Sequence, residues 1–128
     1  MRLFRAYALL LAAAVAAGCS SAKPDGAKIY LTNCASCHQV DGKGVAGSFP
    51  PLAGSEIVKG DPTRAIHIVK YGLTGPLQVA SKSYDGMMPA WSPQLSDDAI
   101  AAALTYARAS WGNGAAAVTA AQVGTVAK

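Results

Sequence analysis

Cys34-Ala35-Ser36-Cys37-His38 is the stretch of this 128-residue chain that decides the fold. Its two cysteines stand three residues apart, so on a helix they share one turn, and a histidine follows directly. A thioredoxin-like redox pair would need a βαβ pattern around it, which this sequence lacks. A zinc site would need four ligands, and the only other histidine is His67, which lies on a separate predicted helix and needs no ligand role.

Covalent haem attachment explains both cysteines and the histidine of the pentapeptide. Each cysteine can add to one vinyl group of a haem, and the histidine that follows then lies beneath the iron. We therefore predict one haem c, attached through Cys34 and Cys37, with His38 as an iron ligand. The sequence contains no second C-x-x-C-H, so one haem per chain is expected.

The N-terminal residues predict an export signal that is not part of the fold. Two arginines in residues 1–5 precede the uncharged apolar run 6–17, which is shorter than the roughly 20 residues of a membrane span. We predict a signal peptide at 1–18 and a tether at 19–24. Residues 16–19, Ala-Ala-Gly-Cys, resemble the bacterial lipobox, although that motif usually has leucine at the position of Ala16. The alternative is ordinary cleavage of the signal peptide nearby, which would leave Cys19 as a spare thiol. Lipidation of Cys19 accounts for the odd third cysteine and implies a Gram-negative periplasmic protein anchored to the inner or outer membrane.

Composition excludes a nucleic-acid partner and indicates one small domain. The full chain has a formal charge of +4, and without Arg2 and Arg5 nine basic residues oppose seven acidic ones. Nucleic-acid binding requires clustered basic residues, which are absent here. The residues after the signal peptide suffice for one domain.

Periodicity and capping signals predict a mostly helical domain at 25–113. Asp25, Asp61-Pro62 and Ser96 are helix-start signals, and Gly72 and Gly112 are stop signals. The expected order is a helix from Asp25 through the pentapeptide, a loop at 41–60, a helix at 61–72, a short β-hairpin near 76–84, a loop at 85–93, a helix at 97–111, and a tail at 114–128 that either forms a short helix or frays.

Further motifs resemble the class I cytochromes c over nearly all of residues 26–113. Gly26 and Tyr30 match the small and aromatic pair of the family's first helix, which crosses a last helix marked here by Leu104 and Tyr106. Pro50-Pro51-Leu52-Ala53-Gly54 matches its P-x-L-x-G loop, and Met87-Met88-Pro89-Ala90-Trp91 its M-P-A-W ligand loop. The segments 72–76 and 84–86 are similar to small cytochromes that accompany periplasmic dehydrogenases and nitrite reductases.

The resemblance implies an all-α fold of helices wrapped around one covalent haem. It implies Met88 as the sixth iron ligand, with Met87 as the substitute, and the Pro50 carbonyl as acceptor for the second ring N–H of His38. Tyr71, Tyr84, Trp91 and Trp111 are candidates to line the pocket or meet the propionates. With both axial positions filled, the expected function is one-electron transfer between a donor and an acceptor protein, without catalysis by this chain.

Two alternatives stay open at this point. The chain could be the electron-transfer subunit of a dehydrogenase or reductase complex. It could also be a haem sensor or peroxidase-like protein in which Met88 leaves the iron. The residues expected around the exposed haem edge are small or apolar, which predicts docking through an apolar surface. They are Ala35, Val40, Val45, Ala46, Met87 and Ala90, with Asp41 and Lys43 as opposed charges.

Overall fold

The computed structural model describes residues 22–128. The predicted signal peptide and Cys19 lie outside the described residues. Within them, six helices and one two-stranded antiparallel sheet follow one another along the chain. They are α1 (Gly26–Asn33), α2 (Ala35–His38), α3 (Glu56–Lys59), α4 (Pro62–Tyr71), β1 (Leu73–Val79), β2 (Lys82–Met88), α5 (Asp97–Ala109) and α6 (Ala120–Thr125).

The three longest helices begin at the predicted caps. The Asp25 carboxylate accepts a hydrogen bond from the Lys28 N–H at 3.1 Å, and the Ser96 hydroxyl accepts one from the Ala99 N–H at 3.2 Å. Asp61 caps α4 in the same way, with Pro62 at its first position. These side chains satisfy backbone donors that have no partner inside the helix.

The close crossing of α1 and α5 depends on Gly26 and Tyr30. A side chain at Gly26 would collide with the backbone carbonyl of Ala102 on α5, so only glycine permits this approach. Tyr30 is 1% exposed, and its ring centroid lies 5.4 Å from that of Tyr106. The hydroxyl of Tyr30 donates to the Gln39 carbonyl at 2.6 Å, which ties α1 to the chain directly after the pentapeptide.

The C-terminal residues pack over α4 and α5 and complete the core. Val123 on α6 is fully buried against Ile66 and Ile100. The buried Lys70 side chain donates to the carbonyls of Val123 at 2.8 Å and Val126 at 3.0 Å. The tail predicted at 114–128 therefore includes a helix whose end is held by a side chain from α4.

Three predicted boundaries differ from the structure. The hairpin spans 73–88, so the predicted loop at 85–93 is wrong for its first four residues. The predicted loop at 41–60 contains α3, a single turn capped by Ser55, and α5 ends at Ala109 instead of Trp111. The turn, Ala80-Ser81, lies at the centre of the predicted 76–84, and the strands extend beyond it through pairs such as Gly75 with Gly86 and Pro76 with Asp85, whose residue types are rare in strands.

Candidate haem site

A deep apolar pocket lies between the helices and the hairpin. It has about 1330 Å³ of free space, including the part that is open to solvent. The hairpin forms one wall through side chains of Leu73, Leu77 and Val79, and α5 contributes Leu104 and Ala107. All five residues predicted to bind the cofactor line this pocket: Cys34, Cys37, His38, Pro50 and Met88.

The two cysteines, three residues apart at the junction of α1 and α2, present free sulfurs to the pocket. Cys34 closes α1, where its N–H donates to the Tyr30 carbonyl at 2.8 Å, and Cys37 lies within α2. Burial, together with the neighbouring Cys37, raises the pKa of the Cys34 thiol to about 11. Redox-active C-x-x-C pairs have thiols of lowered pKa, so this environment disfavours the thioredoxin-like alternative.

His38 is held in one orientation by the loop that follows it. The imidazole is 7% exposed, and its Nδ1 lies 2.9 Å from the carbonyl oxygen of Pro50. Since a carbonyl only accepts, Nδ1 must carry the proton, which leaves the Nε2 lone pair free for a metal. Burial lowers the pKa of His38 below its ordinary value, and the bond to Pro50 opposes this in part. The ring is therefore kept in the neutral form that can bind iron.

The two methionines end β2 and differ sharply in exposure. Met88 is partly buried, whereas the Met87 side chain is 75% exposed at the pocket mouth. Adjacent strand residues point to opposite faces, and Met88 shares its face with the pocket-lining Tyr84 and Gly86. Downstream, the Trp91 N–H donates to the Val69 carbonyl at 2.9 Å, which fixes the chain after Met88.

The four aromatic candidates divide between the pocket and the rest of the core. Tyr84 and Trp91 line the pocket. The Tyr71 hydroxyl instead donates to the Val126 carbonyl at 2.9 Å, and Trp111 packs on Tyr30 with centroids 5.2 Å apart. His67 is exposed on α4, outside the pocket lining, and its ring centroid lies 5.2 Å from that of Tyr71.

Asn113 supports the site but was not predicted from the sequence. Its amide donates to the carbonyls of Ala107 at 2.8 Å and Leu52 at 3.1 Å, and its oxygen accepts from the Gly54 N–H at 2.8 Å. These bonds tie the loop that contains Pro50 to the end of α5. The sequence offered little signal, because Asn113 stands between two glycines and is typical of a turn.

Comparison with known proteins establishes the family of the chain. The model of the family described as cytochrome c matches residues 24–111. The chain belongs to the cytochrome c family. A cytochrome c-552 of Thermus thermophilus is 42% identical over 108 residues, which cover 81% of this chain and 72% of that protein.

Other cytochrome c relatives are parts of larger proteins. The cytochrome c subunit of a quinone alcohol dehydrogenase from Gluconobacter oxydans is 41% identical over 92 residues, which are 70% of this chain and 19% of the subunit. The gluconate 2-dehydrogenase cytochrome c subunit of Pantoea cypripedii is 40% identical over 107 residues, 80% of this chain and 24% of the subunit. This chain thus spans about a fifth to a quarter of the dehydrogenase subunits that it matches.

Membership of the family establishes the cofactor and the general activity. The chain carries one covalently bound haem c and is an electron-transfer protein, not an enzyme. The site fits this group, because two free thiols, a neutral imidazole and a thioether surround an apolar pocket, and these are the donors that a haem c requires. Among residues 22–128, no helix is both long and apolar enough to span a membrane.

Proposed function

We propose that the chain is a one-electron carrier whose haem is joined to Cys34 and Cys37 and ligated by His38 and Met88. The observation that carries this proposal is that all four side chains line one pocket while the His38 Nδ1 proton is engaged by Pro50. When bound, the haem supplies the one-electron chemistry. The chain's own residues orient the imidazole and exclude water, and His38 and Met88 would hold the iron.

The thioether of Met88 would complete a six-coordinate iron and raise its reduction potential. The hairpin supports this assignment because residues 73–88 pair along their whole length, so that Met88 is held at a strand end opposite Leu73. Gly72 permits the approach: its φ is +78°, and a Cβ there would come within 2.7 Å of the Met88 carbonyl oxygen. The geometry therefore favours a fixed ligand over one that leaves to admit a gas or peroxide.

Intact mass of the denatured protein tests the attachment. The wild-type chain should retain the mass of one haem after acid denaturation, since thioether bonds survive unfolding. Cys34→Ser and Cys37→Ser should each leave a chain with one thioether and a residual vinyl group, detectable in the pyridine haemochrome spectrum. Ser36→Ala, in the same turn, should leave both measurements unchanged. Release of the haem from the wild-type chain on denaturation would overturn the proposed attachment.

Electron transfer requires a donor protein and an acceptor protein. We propose two settings in which the chain meets them. The chain can act as an individual carrier at the membrane surface outside any complex, which matches its similarity to a cytochrome c-552 over 72% of that protein. Its similarity to cytochrome subunits of dehydrogenases favours, as a second candidate, work within a dehydrogenase or reductase complex. Isolation of the native protein from mildly solubilised membranes distinguishes them: co-purification of a dehydrogenase supports the second, and a monomeric cytochrome supports the first.

We also propose that the chain is exported and lipid-anchored at Cys19, which implies a periplasmic location on the inner or outer membrane. The support is the sequence of residues 1–19. Acyl chains contribute about 0.8 kcal/mol per buried CH₂, so several chains on one cysteine make attachment effectively permanent. Cells fed radiolabelled palmitate should label the wild-type protein, whereas Cys19→Ser should remain unlabelled as precursor or soluble protein. An unlabelled wild-type protein would refute the anchor.

A further inference from the structure

The side chain of Arg108 on α5 is a buried cation without an acidic partner. It is 5% exposed, and its guanidinium group donates to the carbonyls of Ala116 at 2.6 Å, Val58 at 2.5 Å and Gly60 at 3.0 Å. Among residues 22–128, no carboxylate lies within ion-pair distance of this group. The carbonyl dipoles solvate the charge but do not neutralise it, so Arg108 keeps a full positive charge inside the protein.

This guanidinium group lies directly behind the wall of the haem pocket. Val58, whose carbonyl it binds, and Ala107, which precedes Arg108 on α5, both line the pocket, whereas Arg108 itself does not. Its bonds reach two separate segments of the chain, at 58–60 and at 116, so the group cannot turn toward solvent without breaking them. The structure therefore holds a fixed positive charge beside the cofactor and shields it from water.

We propose that Arg108 raises the reduction potential of the haem through its charge. The inference rests on the proposed function of a one-electron carrier. Loss of one electron to an acceptor protein adds one positive charge at the cofactor, and a fixed cation nearby opposes that change, so the ferrous state is favoured. Because the protein interior has a lower dielectric constant than water, a buried cation acts more strongly than an exposed one at a similar distance.

Other charges near this position stay in place when Arg108 is substituted. Lys70 is also buried, but it binds the carbonyls of Val123 and Val126, which do not line the pocket. Asp61 is exposed, and its pKa is lowered chiefly by local hydrogen bonds and in smaller part by the charge of Arg108. Water screens this exposed carboxylate, so it does not act as a buried counterion. A comparison of variants with the wild type therefore isolates the guanidinium charge.

Voltammetry of the holoproteins tests the proposal. At a fixed electrode potential near the midpoint, Arg108→Gln should raise the ratio of ferric to ferrous protein about fivefold, the order expected for unit charges one to two helix diameters apart at an effective dielectric constant of about 20. Lys59→Gln is the matched control, because Lys59 lies between Val58 and Gly60 in the chain but its side chain is exposed. It should change the ratio less than about twofold. Equal shifts in both variants, or no shift in the first, would overturn the proposal.

A second variant separates the charge from the hydrogen bonds and decides the question if Arg108→Gln does not fold. Arg108→Lys keeps the positive charge but loses the planar fork of donors, so it should lower the free energy of unfolding while the potential stays close to that of the wild type. If its ratio of ferric to ferrous protein also rises about fivefold, the hydrogen bonds set the potential and the proposal is wrong. Failure of the proposed Met88 ligation is recognised separately, because the wild type would then lack the sulfur-to-iron charge-transfer band.

Discussion

The Nδ1 atom of His38 and the carbonyl oxygen of Pro50 lie 2.9 Å apart, across twelve residues of loop. Proline suits this position because it offers an acceptor without an N–H of its own to satisfy. The loop is held in turn by Asn113, which binds both Leu52 and Gly54. The orientation of the iron-binding imidazole therefore depends on a residue 75 positions later in the chain.

The two methionines should differ in their effect on the iron. Met88→Ala should abolish the near-infrared sulfur-to-iron charge-transfer band and lower the reduction potential, because a thioether ligand favours ferrous iron. Met87→Ala should leave both nearly intact, since that side chain is 75% exposed. Absorption spectra and voltammetry of both variants measure this. Loss of the band in the Met87 variant alone would reverse the assignment.

Two glycine-to-alanine substitutions should have opposite effects on stability. Gly26→Ala forces a methyl group against the Ala102 carbonyl and should lower the free energy of unfolding by about 1–3 kcal/mol. Gly124→Ala, within α6, meets only the Asp97 carboxylate tip at 3.3 Å and should raise it by up to about 1 kcal/mol. Denaturant titrations of both holoproteins measure the changes. A neutral Gly26→Ala would show that α1 and α5 cross less closely.

The Glu56 carboxylate should stabilise the hairpin only at pH values at which it is ionised. It accepts hydrogen bonds from its own N–H and from the Ala80 N–H, which lower its pKa below the usual 4.5. Its contribution is therefore complete above that pH and is lost as the pH falls through the lowered pKa. The difference in stability between wild type and Glu56→Gln should shrink as the pH falls below 4.5.

A control for this titration lies on the same hairpin. Asp85 is exposed on β2, and its carboxylate forms no hydrogen bond within residues 22–128. Thermal melts of Asp85→Asn should follow the wild type across the same pH range. A pH-independent difference between wild type and Glu56→Gln would mean that the carboxylate does not hold the turn through its charge.

The rate of electron transfer between ferrous and ferric copies of the protein should depend little on ionic strength. Phe49 and Met87 line the pocket and are exposed, Val45 is exposed and pairs with Phe49, and Asp41 and Lys43 neutralise each other at 3.6 Å. The side-chain charge of residues 19–128 is small, and the haem carboxylates offset it, so no strong field steers the encounter. The self-exchange rate, measured by NMR line broadening, should change less than about twofold between low and physiological ionic strength.

Matched lysine variants locate the docking surface. Met87→Lys should slow self-exchange at low salt, because two like charges then meet at the mouth. Ala121→Lys adds the same charge on exposed α6, outside the pocket lining, and should have little effect. A steep salt dependence of the wild type, or equal slowing by both variants, would show that the apolar mouth is not the contact.

The helix starts and the pentapeptide could be predicted from the sequence, because each depends on residues that are neighbours in the chain. Asp25, Ser96 and Asp61-Pro62 cap helices through bonds to residues two or three positions away, so the sequence alone locates them. The pentapeptide behaves in the same way, because one helical turn brings its cysteines and histidine together. The family resemblance added the assignment of Pro50, whose carbonyl the structure places beside His38.

The remaining features depend on contacts between distant residues. Lys70 ties down α6 from more than fifty positions away, and Asn113 anchors the Pro50 loop over a similar span. No periodicity encodes such pairs. The full length of the hairpin was also not predicted, since its outer pairs, Gly75 with Gly86 and Pro76 with Asp85, consist of residue types that are rare in strands.

Carbon monoxide binding tests most directly whether this cytochrome c carries electrons with both axial positions filled. We expect the ferrous wild-type holoprotein at neutral pH to show no change in its Soret band on addition of carbon monoxide, because His38 and Met88 leave no open site. Met88→Ala should bind the gas and serve as the positive control. A carbon monoxide complex in the resting wild-type protein would contradict the proposed ligation and favour a sensor or peroxidase-like role.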